Sequence, residues 1–279
     1  MTANAAAAER ASARLARPRP IRSAGPARFI RDLLTVAGRA TRQLRRELAF
    51  VIPALVIPVF FYGVNVGSLE GIAQAAAPGF DVRAFQLPVA IIFAVTGVSR
   101  ANALVQDISG GYFERLLLTP VNRLALLLGL MAADFVLIIA LCIPVIIMGF
   151  LTGVTFVTGL AGILAFMLLA AFWGIAFNGF PYAIALKTGN PSAVGASFIL
   201  FFPFAFLTTA YVPQEALSGW LSTVAQFNPV TYLLAGLRAI ISTGWDAEAI
   251  GAALLATVGV AIVSLSLALW ALRGRVANG

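Results

Sequence analysis

The chain has 279 residues, 61% of them apolar and only 11% charged, with 19 basic against 11 acidic side chains and a formal net charge of +8. Soluble domains carry about 25% charged residues, so lipid must be the solvent for most of this chain, and the mean hydropathy of +0.95 agrees. The absence of histidine excludes HExxH zinc hydrolysis, histidine-ligated haem and Ser-His-Asp triads. The single Cys142 excludes an internal disulfide or multi-cysteine metal site, and the one lysine, Lys187, lies outside any P-loop pattern, so ATP hydrolysis would fall to a partner.

Residues 1–28 are rich in Ala, Arg and Pro without periodicity, which predicts a disordered basic cytoplasmic tail. The first long apolar run starts near residue 48, too late for a cleaved signal peptide. Over 29–47, Ile30, Leu33, Leu34, Ala37, Ala40 and Leu44 recur at steps of three and four. Arg31, Arg39, Arg42, Arg45 and Arg46 fall between them. That pattern predicts an amphipathic helix lying on an anionic leaflet; the plainer alternative is a positive flank that orients the first span.

A spanning helix needs about 20 apolar residues, and six runs qualify. The first is 48–67, with Pro53 and Pro58 inside it, which spanning helices tolerate. A loop with Glu70, Pro78, Gly79 and Asp81 is expected next. The second run, 85–107, reaches Ser99, Arg100, Asn102 and Asp107, so its end must be wet or buried in protein. Residues 109–123 are too polar to span. Runs three and four, 124–151 and 159–186, flank a turn at 152–158 and hold one charge, Asp134. Run five is 192–212 and run six 251–272; between them 213–242 is semi-apolar, broken by Pro213, Gly219, Asn228–Pro229 and Arg238. The expected fold is an all-α integral membrane protein.

With the amino terminus inside, 17 of the 19 basic residues fall on the cytoplasmic side, leaving only Arg83 and Arg238 outside. The positive-inside rule is met on every loop, six crossings return the carboxyl terminus to the cytoplasm, and the basic balance needs no nucleic acid.

Two segments carry a resemblance. One runs from Asp107 through Ser109, Gly110, Gly111, Tyr112, Phe113, Glu114, Arg115, Leu116, Leu117, Leu118, Thr119 and Pro120 to Arg123. The other contains Thr209, Tyr211, Pro213, Glu215, Trp220, Gln226, Asn228, Pro229, Tyr232 and Arg238. Together they resemble the membrane subunit of type-2 ABC transporters, closest to the daunorubicin-resistance-like permeases that pair with a separate ATPase. The resemblance covers roughly residues 29–275, read as one transmembrane domain. It implies a bacterial-type plasma (inner) membrane location, a P-loop ATPase partner holding ATP and Mg, a second permease copy or paralogue, and no cofactor in this chain.

The resemblance further implies a cytoplasmic coupling helix over about 110–119. Gly110 and Gly111 would break the second span, and Glu114 and Arg115 would meet the ATPase. Leu116 and Leu117, with Phe113 and Thr119, complete the element before Pro120 ends it. Without the resemblance, an interfacial hairpin with membrane-anchoring leucines explains the segment as well. Residues 213–242 would form an extracellular re-entrant hairpin and outer gate, in which Pro213 ends span five, Trp220 suits the headgroup belt and Asn228–Pro229 starts a helix. A plain amphipathic loop is the alternative.

Asp134 is the one charge deep in an apolar run, which by default marks a functional acid. Span three is too long for the bilayer, however, so Asp134 also fits a structural ion pair at the cytoplasmic edge with Arg100 or an arginine of the interfacial helix. Asn65, Asn178, Thr208, Thr209 and Tyr211 are candidate pathway residues, as are Phe201 and Phe204; interhelical hydrogen bonding or packing is the alternative for each. The resulting reading is an ATP-driven exporter subunit for an amphipathic drug, lipid or glycolipid-like substrate. Proton-coupled transport through Asp134 is the alternative, and an intramembrane lipid-modifying enzyme a more distant one, because the acids are scattered.

Overall fold

The computed structural model describes residues 30–31, 33–38, 48–96, 98–117 and 123–278. The expected tail at 1–28, together with Arg39, Arg42, Arg45, Arg46, Thr119 and Pro120, lies outside the described residues. Every regular element described is helical. After the helical residues 30–31 and 33–38 come, in chain order, α1 (Leu48–Ala76), α2 (Val82–Thr96), α3 (Ala101–Ser109), α4 (Tyr112–Leu117), α5 (Arg123–Leu151), α6 (Gly159–Thr188), α7 (Pro191–Ala196), α8 (Phe201–Phe206), α9 (Gly219–Phe227), α10 (Pro229–Arg238) and α11 (Ala247–Asn278). A 3₁₀ turn, Ser197–Leu200, joins α7 to α8, and a π-helical turn, Ala239–Thr243, ends α10.

Five segments among the described residues are long and apolar enough to cross a membrane: Leu55–Ala76, Val82–Ser109, Leu127–Leu151, Gly159–Thr188 and Ala247–Arg275. The expected fifth run behaves differently. Its apolar helix, Pro191–Phe206, falls short of a full crossing, and residues 207–212 continue without helix. Other boundaries shift as well. Helix α1 runs through Glu70 to Ala76, where a loop was expected, and Glu70 forms an ion pair with Arg83 at the start of α2. The turn expected at 152–158 is present between α5 and α6.

Small residues bring the helices close, since in lipid tight packing and hydrogen bonds must replace the hydrophobic effect. Helices α6 and α11 pack most extensively. A Cβ on Gly179 would lie 2.6 Å from the Ser264 backbone, and the Ser264 hydroxyl donates to the Ala176 carbonyl. At Gly236 a Cβ would meet the Ala253 methyl at 2.6 Å, which seats α10 on α11. One apolar core, around Trp173, Phe177, Ile91 and Leu233, fills the middle of the bundle. A second, around Leu104, Phe113, Met131 and Tyr182, fills the end that carries α4. By contrast α1 leaves Val56, Ile57, Phe60, Val64 and Ile72 exposed.

Candidate functional site

At the α4 end, the second apolar run is not one helix. It breaks between α2 and α3, where a transmembrane backbone must find other partners. The Asp134 carboxylate on α5 supplies one, accepting the Arg100 backbone N–H at 3.1 Å. The Asn178 side chain on α6 supplies another, donating 3.0 Å bonds to the Val98 carbonyl and to the second Asp134 oxygen. Asp134 and Asn178 are fully buried and Arg100 is nearly so.

Helix α3 ends at Gly110, whose N–H reaches the Gln106 carbonyl, and Gly111 then takes φ +67°, a left-handed conformation that glycine adopts without strain. This reversal sets α4 beside α3. Phe113 inserts into the second core at 3% exposure, while Tyr112 and Arg115 remain exposed. Glu114, Leu116 and Leu117 belong to the same short helix. Residues 30–31 and 33–38 are helical, with Arg31 exposed. A Cβ on Gly129 of α5 would lie 2.8 Å from Val36 and 3.1 Å from the Leu33 carbonyl, so this helix rests directly on α5. Ile30 and Leu34 are exposed.

At the opposite end, Asn228 caps α10 through the Val230 N–H at 3.0 Å, with Pro229 in the first turn, as Asn–Pro predicts. Its amide also donates to the Phe204 and Leu207 carbonyls at 3.0 and 2.8 Å. Those bonds satisfy carbonyls where α8 stops, and Thr208 closes a local turn there by bonding Ala205 and Ala210. Arg238 donates to the Phe85 carbonyl and, through both terminal nitrogens, to Thr209. Its guanidinium stacks 3.4 Å from the Phe85 ring centre. These residues, with Pro213, Gln214, Glu215, Gln226, Thr231, Tyr232 and Ala235, line an open cleft of about 430 Å³.

The other sequence candidates scatter. Phe201 is fully buried among Phe93, Phe177 and Phe198. Phe204 lines an apolar groove of about 270 Å³ with Trp173, Phe180, Pro229 and Val263. Asn65 faces Gln86, Tyr211 stacks on Phe206, and Trp220 is exposed. Sequence reasoning missed Gln86, which is fully buried in α2 and donates to the Ala210 carbonyl at 3.1 Å. An amide inside an otherwise apolar run was its signal.

The family model described as ABC-2 type transporter matches residues 31–242. The chain belongs to that family. A daunorubicin resistance ABC transporter permease protein of Streptomyces coeruleorubidus is 25% identical over 228 residues, covering 80% of this chain and 77% of the relative. A protein named "Probable doxorubicin resistance ABC transporter permease protein", from Mycobacterium tuberculosis, is 25% identical over 236 residues, covering 84% and 86% respectively. This ABC-2 chain is therefore a multi-pass permease, the membrane subunit of an ABC exporter. Among its described residues no cluster of three or more acids or cysteines could hold a metal ion.

Proposed function

We propose that this permease is one half of an exporter for amphipathic drugs, lipids or glycolipid-like molecules, driven by a separate P-loop ATPase that holds ATP and Mg and completed by a second permease copy or a paralogue. The drug-resistance names of the two relatives support the substrate class. The observation that carries the assembly is α4: a six-residue helix reversed by Gly110 and Gly111, held at its root by Phe113 and presenting Arg115 outward. We assign α4 as the coupling element and the helical residues 30–31 and 33–38 as the interfacial helix beside it.

In this reading α7, α8 and the irregular residues 207–212 make a sixth, broken crossing. Helices α9 and α10 form the outer re-entrant hairpin and gate, and both termini lie in the cytoplasm of a bacterial-type inner membrane. The exposed apolar face of α1 meets lipid or the second permease. Asp134 spends its carboxylate on the α2–α3 break, which favours holding that break over carrying a proton.

The test is copurification with the candidate ATPase and the ATP hydrolysis of the complex, for wild type and for Glu114→Arg combined with Arg115→Glu. The wild type should copurify stoichiometrically, and the swap should release the ATPase or uncouple its hydrolysis. An ATPase bound and stimulated equally by both would overturn α4 as the coupling element.

A further inference from the structure

The cleft beside α10 contains a cation with donors to spare. A guanidinium has five N–H groups. Arg238 uses three of them, on the Phe85 carbonyl, the Thr209 hydroxyl and the Thr209 carbonyl. Every one of these acceptors is neutral. Glu215 also lines the cleft, but it is exposed and forms no ion pair with Arg238 among the described residues. Among the described residues one N–H on each terminal nitrogen is left unused, and the Phe85 ring, stacked against the guanidinium, keeps the group in place.

Two further polar atoms point the same way. Thr231 is 9% exposed and its hydroxyl has no hydrogen-bond partner among the described residues. The Gln214 side-chain oxygen is likewise buried without one. Both residues line the cleft. Thr231, Ala235 and Arg238 stand at i, i+4 and i+7 on α10, one face of a helix. A buried hydroxyl left unpaired is costly, and a cation facing only neutral acceptors is half of a charge-assisted pair. Phe85, Pro213 and Tyr232 give the rest of the wall an apolar character.

We propose that this cleft binds the phosphate group of an amphiphile: the anion meets the free N–H groups of Arg238 and the Thr231 hydroxyl, and the apolar wall takes the adjoining chain. The proposal rests on the permease reading only in placing the cleft on the outer, exit side. Binding itself requires neither ATP nor the ATPase, so it stands or falls separately from the coupling experiment.

The test uses the full chain in an uncharged detergent, with binding read by titration calorimetry. The probes are dioctanoyl phosphatidylglycerol, dioctanoylglycerol and inorganic phosphate. Wild type should bind the phospholipid at least about tenfold more tightly than the diacylglycerol, as a charge-assisted hydrogen bond implies. Arg238→Gln should abolish that preference. Thr231→Val removes a hydroxyl that bonds to none of the described residues, so it should leave thermal stability unchanged while weakening phospholipid binding about fivefold. If Arg238→Gln fails to fold, Thr231→Val decides. Competition by inorganic phosphate at equal strength would identify a free anion as the natural occupant, and its failure to compete would identify a lipid headgroup. Equal binding of phospholipid and diacylglycerol by wild type, or a preference that survives in the folded variants, overturns the proposal.

Discussion

Asp134 and Arg100 meet through side chain and backbone: the carboxylate accepts the Arg100 N–H at 3.1 Å, across 34 residues of sequence. An acid buried in this way caps a helix that has no capping side chain at its own first position. Asp134→Ala should orphan the Arg100 N–H and remove the Asn178 contact, destabilising the folded protein by about 2 kcal/mol or more. Asp134→Asn retains an acceptor and should lose less. Thermal unfolding of both variants in detergent checks the order. In proteoliposomes, ATP-driven export by the wild type should persist when a protonophore collapses the proton gradient.

Phe113→Ala should act on coupling more than on the spans. It leaves a cavity at the root of α4, and such truncations cost about 3–5 kcal/mol in a packed core. The membrane bundle should still purify as a single species, while ATPase copurification falls sharply. Pulldown alongside size-exclusion chromatography separates the two effects.

Gly179→Val should prevent folding altogether. The added side chain would enter the Ser264 backbone, and α6 against α11 is the principal helix pair of the bundle. Ser264→Ala, which loses only the hydroxyl bond, should cost about 0.6 kcal/mol, as interhelical hydrogen bonds in membranes do. Yield of monodisperse protein reports the first and thermal unfolding the second.

Asn228→Asp preserves the cap on α10 but removes the donors to Phe204 and Leu207. It should loosen the end of α8 without melting α10. Asn228→Ala should lose the cap as well, about 1 kcal/mol more. Hydrogen exchange over residues 204–212 and 228–234 distinguishes the variants.

The four long helices α1, α5, α6 and α11 were readable because long apolar runs leave the backbone no other solution in lipid. The Gly110–Gly111 reversal and the Asn228–Pro229 start were readable because they depend on local chemistry. The shortness of the fifth segment was not, because it depends on an amide that reaches from Asn228 to the Phe204 and Leu207 carbonyls. The α2–α3 break was signalled only indirectly, by Ser99 and Arg100 in one run and Asp134 in another; nothing in either run alone pairs them. Glu70 read as a loop residue because its partner Arg83 lies across a turn. Arg238 was visible as a charge in a semi-apolar stretch, but its neutral surroundings emerge only once α2 and residues 207–213 fold around it.

The glycine at 129 has a mechanical consequence. With no side chain between them, the helix at 33–38 and α5 mesh backbone to side chain, like a tooth in a notch. Asp134 lies five residues further along the same helix, about 7.5 Å at 1.5 Å per residue. A sideways load on that helix thus has a stiff rod of less than two turns through which to reach the carboxylate that pins the α2–α3 break. Filling the notch with a bulky side chain would part the two helices and leave the pin without its handle.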